Sequence, residues 1–132
     1  MKKDYNPAML PDVDEVEIVS LGGIHPPQVS GFIDMTVGKS GIKVTNNLCE
    51  QLCTFWRNLI PGEMQRCHTP PYELRFMYKS GGVLRASVCW VCNNIFLDDN
   101  GIRGGCTFDS SSKAAKDLLK YIRAIDAGEK LI

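Results

Sequence analysis

The stretch that decides the fold is residues 72–108, which read YELRFMYKSGGVLRASVCWVCNNIFLDDNGIRGGCTF. Its first part alternates apolar with polar or charged side chains, as in Leu74, Arg75 and Phe76. This period of two is typical of a strand with one buried face. Two glycine-bearing segments then interrupt the pattern in the manner of hairpin turns. The pattern predicts an antiparallel meander, with strands over 72–78, 83 to about 97 and 102–108.

Helices are predicted on both sides of this meander. Asn47, with Glu50 three residues later, forms a capping-box start for the first helix, which ends before a Pro-Gly pair at 61–62. The second helix begins after the serines at 110–112 and ends at Gly128. Each carries one apolar stripe at helical spacing: Leu48, Leu52, Phe55, Trp56 and Leu59 in the first, and Ala115, Leu118, Leu119, Ile122 and Ile125 in the second.

The N-terminal half adds shorter elements. Apolar alternation and turn residues predict strands at about 14–21, over 32–37 and over 42–44. Residues 1–12 are polar, contain two prolines and are predicted to be a flexible N-terminal arm. We therefore expect a single α+β domain over residues 1–132. Its antiparallel sheet should have about five to six strands with a central meander, and two helices should pack on one face.

Composition limits the classes of partner. Fifteen basic and fifteen acidic residues cancel, which argues against a nucleic-acid binder and against a protein held on an anionic membrane. No apolar run approaches the roughly 20 residues of a membrane span, and acidic residues interrupt any secretion-signal core. We therefore expect a cytoplasmic protein. Its six cysteines would then be core thiols, metal ligands or reactive groups rather than a disulfide framework.

Four side chains could form a tetrahedral zinc site: Cys67, His68, Cys89 and Cys92. A zinc-binding Cys-x-x-Cys pair needs a tight turn, because both sulfurs must point at the metal. In the predicted continuous strand, residues three apart face opposite sides of the sheet, so Cys89 and Cys92 reach one ion only if a bulge intervenes. We therefore favour buried thiols of the sheet core and keep zinc as the alternative.

Three other chemistries find weak support in the sequence. The run Gly-Lys-Ser at 38–40 resembles the end of a phosphate loop, but Ile33 stands where that loop needs a glycine. No helical stripe follows Cys92, as a thioredoxin-type motif would require. A Cys–His catalytic pair would have to use His68, because His25 precedes two prolines in a predicted loop. The sequence therefore predicts a protein that is not an enzyme and uses no cofactor.

Segments 66–70, 74–76 and 89–95 read Arg-Cys-His-Thr-Pro, Leu-Arg-Phe and Cys-Trp-Val-Cys-Asn-Asn-Ile. Together they resemble a family of small bacterial proteins of unassigned function, which share Cys-His-x-Pro followed by Cys-Trp-x-Cys-Asn-Asn. The resemblance covers the middle part of the chain and supplies no mechanism. It implies that three cysteines matter as a group: Cys67, Cys89 and Cys92.

The size, the neutral charge and the absence of a cofactor motif resemble the cytosolic immunity proteins of interbacterial toxin systems. Such proteins occlude a toxin's active site, so they need a complementary surface rather than reactive residues. We therefore expect a non-enzymatic protein-binding domain, an immunity protein that neutralises a bacterial toxin. The alternative is a small zinc- or thiol-dependent protein. The candidate partner-binding residues are acidic and lie near the N-terminus: Asp12, Asp14, Glu15 and Glu17.

Overall fold

A computed structural model describes residues 5–22, 31–63, 65 and 67–129 of the chain. The helices within these ranges are α1 Gly31–Met35, α2 Asn46–Arg57 and α3 Lys113–Asp126, with a 3-10 turn at Pro7–Met9. The strands within them are β1 Val13–Ser20, β2 Ile42–Thr45, β3 Tyr72–Tyr78, β4 Val83–Cys89, β5 Asn94–Asp99 and β6 Ile102–Thr107.

These strands form one antiparallel sheet in the order β2-β1-β3-β4-β5-β6. Helices α2 and α3 contact each other and pack on the same face of the sheet. The predicted α+β class, the central meander and the two helices on one face are therefore confirmed. None of the helices in the described parts of the chain is long and apolar enough to cross a bilayer.

The main core lies between this face and the two helices. Alternate strand residues point into it, as the period of two predicts, and the ring of Phe76 meets that of Trp56 at a centroid distance of 4.8 Å. Burial of each large apolar side chain stabilises the fold by about 1.5–3 kcal/mol. The fully buried side chains that form this core include Val16, Leu52, Trp56, Leu74, Phe76, Leu84, Phe108, Leu118 and Ile122.

The long strand predicted over 83–97 is wrong. Strands β4 and β5 are separate and joined by a turn at residues 90–93. Asn93 adopts a φ of 54°, in the left-handed region that asparagine tolerates better than most residues. The Trp90 side chain is buried, and its Nε1 donates to the carbonyl of Ala115 in α3 at 2.9 Å. The apolar Cys-Trp-Val-Cys run therefore forms a hairpin connection rather than a strand interior.

The strand predicted over 32–37 is also wrong, because the chain there forms the short helix α1 and a turn. Phe32, Ile33 and Thr36 are buried, which is the spacing of one helical face. The start of α2 differs from the prediction in a smaller way. Its N-cap is Thr45, which makes no side-chain cap hydrogen bond, so Asn47 does not cap the helix.

Residues 5–12 of the predicted N-terminal arm lie against α2. The indole Nε1 of Trp56 donates to the Tyr5 hydroxyl at 3.0 Å. Arg57 donates to the carbonyls of Leu10 and Pro11, at 3.0 and 2.8 Å. This part of the chain therefore brings the beginning of β1 next to α2, where several acidic side chains meet.

Candidate functional site

The sheet face opposite α2 and α3 carries a buried ionic network. Glu73 on β3 is fully buried, and its Oε2 accepts from Arg75 Nε at 2.9 Å and from Arg85 Nε at 2.8 Å. Arg75 Nη1 also donates to Glu17 Oε1 at 3.2 Å. Two carboxylates thus face two guanidinium groups, and this balance offsets much of the cost of removing the four charges from water.

The same two arginines hold α1 and the following turn on the sheet. Arg85 Nη2 donates to the carbonyl of Ile33 at 2.8 Å and to Thr36 Oγ1 at 2.7 Å. Arg75 donates to the carbonyls of Thr36 and Lys39. The network therefore has a structural role, because it fastens residues 33–39 over this face.

A second polar cluster on this face is built around His68. Its Nδ1 lies 2.6 Å from Asn94 Oδ1, and its Nε2 lies 2.8 Å from Ser87 Oγ. The Asn94 amide nitrogen donates to the carbonyls of Gln65 and Cys67, at 3.3 and 2.8 Å. The amide oxygen must therefore face the ring and accept a hydrogen bond. It follows that Nδ1 carries the proton and that the Ser87 hydroxyl donates to Nε2.

This order of serine, histidine and amide is also that of a hydrolytic triad, but here no substrate can reach it. Ser87 has no exposed surface and His68 is 5% exposed. The rings of Phe32 and Phe96 meet the imidazole edge-on, at centroid distances of 5.8 and 4.4 Å. Burial lowers the pKa of His68 from 6.5 to about 4, so the ring is neutral at physiological pH. The cluster anchors Gln65, Cys67 and His68 to β4 and β5.

A disulfide joins Cys67 to Cys92, with their Cα atoms 5.8 Å apart. Cys67 lies at the exposed end of this bond and Cys92 is buried. The expectation of core thiols rather than a disulfide is therefore wrong for this pair. Cys89 stays a free, buried thiol. Its sulfur accepts hydrogen bonds from the backbone nitrogens of Cys92 and Thr69, at 3.2 and 3.4 Å.

The four residues of the predicted zinc site come close together, and two of them form a disulfide. The continuous strand that kept the sulfurs of Cys89 and Cys92 apart does not exist, because a turn separates β4 from β5. Cys92 is instead bonded to Cys67, and both ring nitrogens of His68 are hydrogen-bonded. In the described part of the chain, no group of three or more His, Cys, Asp or Glu side chains could hold a metal ion.

Burial disfavours the thiolate form of the other three cysteines. Cys49 and Cys53 are buried one turn apart on α2, and Cys106 is partly buried on β6. Burial raises the pKa of the Cys53 and Cys106 thiols to about 12, and it also raises the pKa of Cys49. Since the thiolate is the nucleophile, these three thiols are poor candidates for chemistry at neutral pH.

The four predicted partner-binding residues separate into two groups. Glu17 is 4% exposed, and its Oε2 accepts from the backbone nitrogen of Gly41 at 2.7 Å, so it faces the buried network. Asp12 and Asp14 are exposed and Glu15 is partly exposed. Within the described residues, these three carboxylates make no ion pair, whereas Glu17 pairs with Arg75.

Glu50 on α2, which sequence reasoning did not select, joins these three carboxylates. It is exposed and lines, with Asp12, one shallow cavity of about 300 Å³, which Arg57 and Lys79 also line. Burial raises the pKa of Cys49 most, and the charges of Glu50, Asp14 and Glu15 raise it further, so these three side chains lie within electrostatic reach of Cys49 on α2. We call Asp12, Asp14, Glu15 and Glu50 the acidic surface.

No protein-family model, no curated protein and no solved structure matches this chain. The likeness of the segments around Cys67 and Cys89 to small bacterial proteins therefore stays a prediction.

Proposed function

We propose that this chain is a non-enzymatic protein-binding domain whose acidic surface docks on a basic surface of its partner. The observation that carries the proposal is the contrast between its two sets of charged side chains. Glu17 and Glu73 are buried and paired with arginines. Asp12, Asp14 and Glu50 are exposed, and no basic side chain in the described residues pairs with them.

The polar groups that could perform chemistry also favour a binding role. The serine of the Ser87–His68–Asn94 cluster is out of reach of a substrate, and the cluster's hydrogen bonds hold a loop. The two arginines of the network hold α1. What remains accessible is a fixed surface with four carboxylates, two of which line a cavity together with Arg57 and Lys79. The excess of negative charge suits electrostatic steering towards a cationic partner.

The partner class that fits best is a basic toxin, so the chain would act as an immunity protein. Occluding an active site requires a stable, complementary surface and no reaction. The acidic surface lies where β1, α2 and residues 5–12 pack together, so its carboxylates stand on elements fixed by the core.

The test is capture by the purified, immobilised chain from its own host, with the products of its neighbouring genes expressed. We expect a basic protein to be retained at low salt and to elute as the ionic strength rises, because salt screens exposed charges. Capture of no macromolecule, or capture that salt does not weaken, would contradict the proposal.

A thiol-dependent protein is the second candidate, and one observation favours it. Three cysteines meet at the β4–β5 turn: the disulfide pair Cys67–Cys92 and the free thiol Cys89, which accepts a hydrogen bond from the backbone of Cys92.

A further inference from the structure

We propose that the β4–β5 turn is a thiol–disulfide exchange site, in which Cys89 displaces Cys67 from its bond to Cys92. Cys67, an exposed residue, then reacts with an external disulfide. The inference rests on the three cysteines at this turn and does not depend on the acidic surface.

The position of the Cys89 sulfur supports the first step. Its two backbone hydrogen bonds come from Cys92, one end of the disulfide, and from Thr69, two residues after the other end. Cys89 therefore lies beside both chain segments that the disulfide joins. No other cysteine contacts this turn by a hydrogen bond among the described residues, and Cys49 and Cys53 lie on α2 at the opposite face.

The turn also allows the product of the exchange. Cys89 ends β4, and Cys92 follows it by three residues within the turn before β5. The first and fourth residues of a tight turn have Cα atoms less than about 7 Å apart, and disulfides span Cα separations of about 4.4–6.8 Å. A Cys89–Cys92 bond therefore fits a chain that already turns there, with small local adjustment.

The exchange balances without an oxidant. The Cys89 thiolate attacks Cys92 Sγ, the Cys89–Cys92 bond forms, and the Cys67–Cys92 bond breaks. Cys67 leaves as a thiolate, and the proton lost by Cys89 can return to it. The number of disulfides stays at one, so only the position of the bond and of the free thiol changes.

The exchange moves the free thiol from a buried residue to an exposed one. It converts a free thiol with no exposed surface, Cys89, into a free thiol in an exposed residue, Cys67. Thiol–disulfide exchange requires access to the sulfur. The freed Cys67 thiolate can attack an external disulfide such as oxidised glutathione, forming a mixed disulfide and releasing one glutathione thiolate. The class of substrate is thus a low-molecular-weight or protein disulfide.

The experiment uses the full chain, purified without reductant and incubated with oxidised glutathione. Samples are quenched in acid, free thiols are alkylated under denaturing conditions, and the disulfides are mapped by peptide mass spectrometry. We expect Cys89–Cys92 to appear together with glutathione on Cys67. In Cys89→Ser the bond should stay Cys67–Cys92, and the adduct should fall at least tenfold. Cys106→Ser is the matched control and should behave like the wild type.

A second variant keeps the inference testable if Cys89→Ser fails to fold. Cys67→Ser leaves Cys89 and Cys92 as the pair at the turn, so oxidised glutathione should drive the Cys89–Cys92 bond. Two results would overturn the inference. One is a wild type that keeps only Cys67–Cys92 and gains no adduct; the other is a Cys67→Ser chain in which Cys89 and Cys92 do not pair.

Discussion

Acidification should destabilise this protein through His68, and the effect can be worked out from its site. Both ring nitrogens are already hydrogen-bonded to neutral partners, and two phenylalanine rings meet the imidazole. A proton added to the ring would place a charge where no described carboxylate pairs with it. The pKa of His68 therefore falls from 6.5 to about 4 on folding, because burial disfavours the charged ring.

The sign follows from where the proton binds. Between pH 6.5 and pH 4 the unfolded chain holds a proton on His68 and the folded chain does not. The free energy of unfolding therefore falls as the pH drops through this window, by up to about 1.4 kcal/mol per pH unit. From about pH 7.5 to about pH 5 the loss is about 2 kcal/mol. Above pH 6.5 the contribution of His68 is fully present.

The assay is urea unfolding followed by tryptophan fluorescence, at several pH values across that range. His68→Gln is the matched variant, because glutamine can still donate and accept but does not titrate. It should be less stable than the wild type near neutral pH, and the difference should shrink by about 2 kcal/mol by about pH 5. Equal pH slopes for the two proteins would refute the account of a buried, neutral histidine.

Two further predictions concern stability. Glu73→Gln leaves two arginines without their shared carboxylate and should lower the free energy of unfolding by about 3–5 kcal/mol. Asp117→Asn, which breaks an exposed ion pair, should cost less than about 1 kcal/mol. Gly41→Ala should be strongly destabilising, because its Cβ would lie 2.0 Å from the carbonyl oxygen of Ile18, whereas Gly38→Ala meets nothing within 4 Å. Urea unfolding measures the free energy of unfolding of all four variants. Equal losses for Glu73→Gln and Asp117→Asn would contradict the packing described, and so would equal losses for Gly41→Ala and Gly38→Ala.

The local patterns of this sequence were sufficient for the sheet and the two long helices. Strand β3 alternates with a period of two, and the β5–β6 turn carries Asn100 and Gly101 at φ values of 51° and 91°, as a tight hairpin requires. The helical stripes of α2 and α3 contain most of their buried residues but miss Cys49, Cys53 and Ala124. Such signals lie within a few residues of one another, so they can be read without knowing the fold.

The two segments whose secondary structure is predicted wrongly, 32–37 and 89–92, depend on contacts between distant residues. A short apolar run such as 32–37 is compatible with either a helix or a strand, and here arginines of β3 and β4 bind its backbone as a helix and turn. The run at 89–92 continued the apolar pattern of β4. The clue to this turn in the sequence is Asn93, which has a left-handed φ. Asparagine tolerates this conformation but does not require it.

The site was predicted in part. The sequence indicates His68 and three cysteines but not Ser87 and Asn94, because these two residues meet His68 only through the pairing of β4 with β5. Disulfide connectivity is likewise not deducible from sequence alone. The pairing of Cys67 with Cys92 needed the turn between the two strands, which the prediction lacked.

The acidic surface carries the central claim, and charge-matched variants test it most directly. Asp14→Asn with Glu15→Gln removes two of its charges. Glu63→Gln with Glu129→Gln removes two exposed charges elsewhere, and neither glutamate is ion-paired within the described residues. Capture of the basic partner should fall about tenfold in the first protein, since exposed charges contribute about 0.2–1 kcal/mol each, and should stay unchanged in the second. Equal capture by both variants would contradict the proposed function.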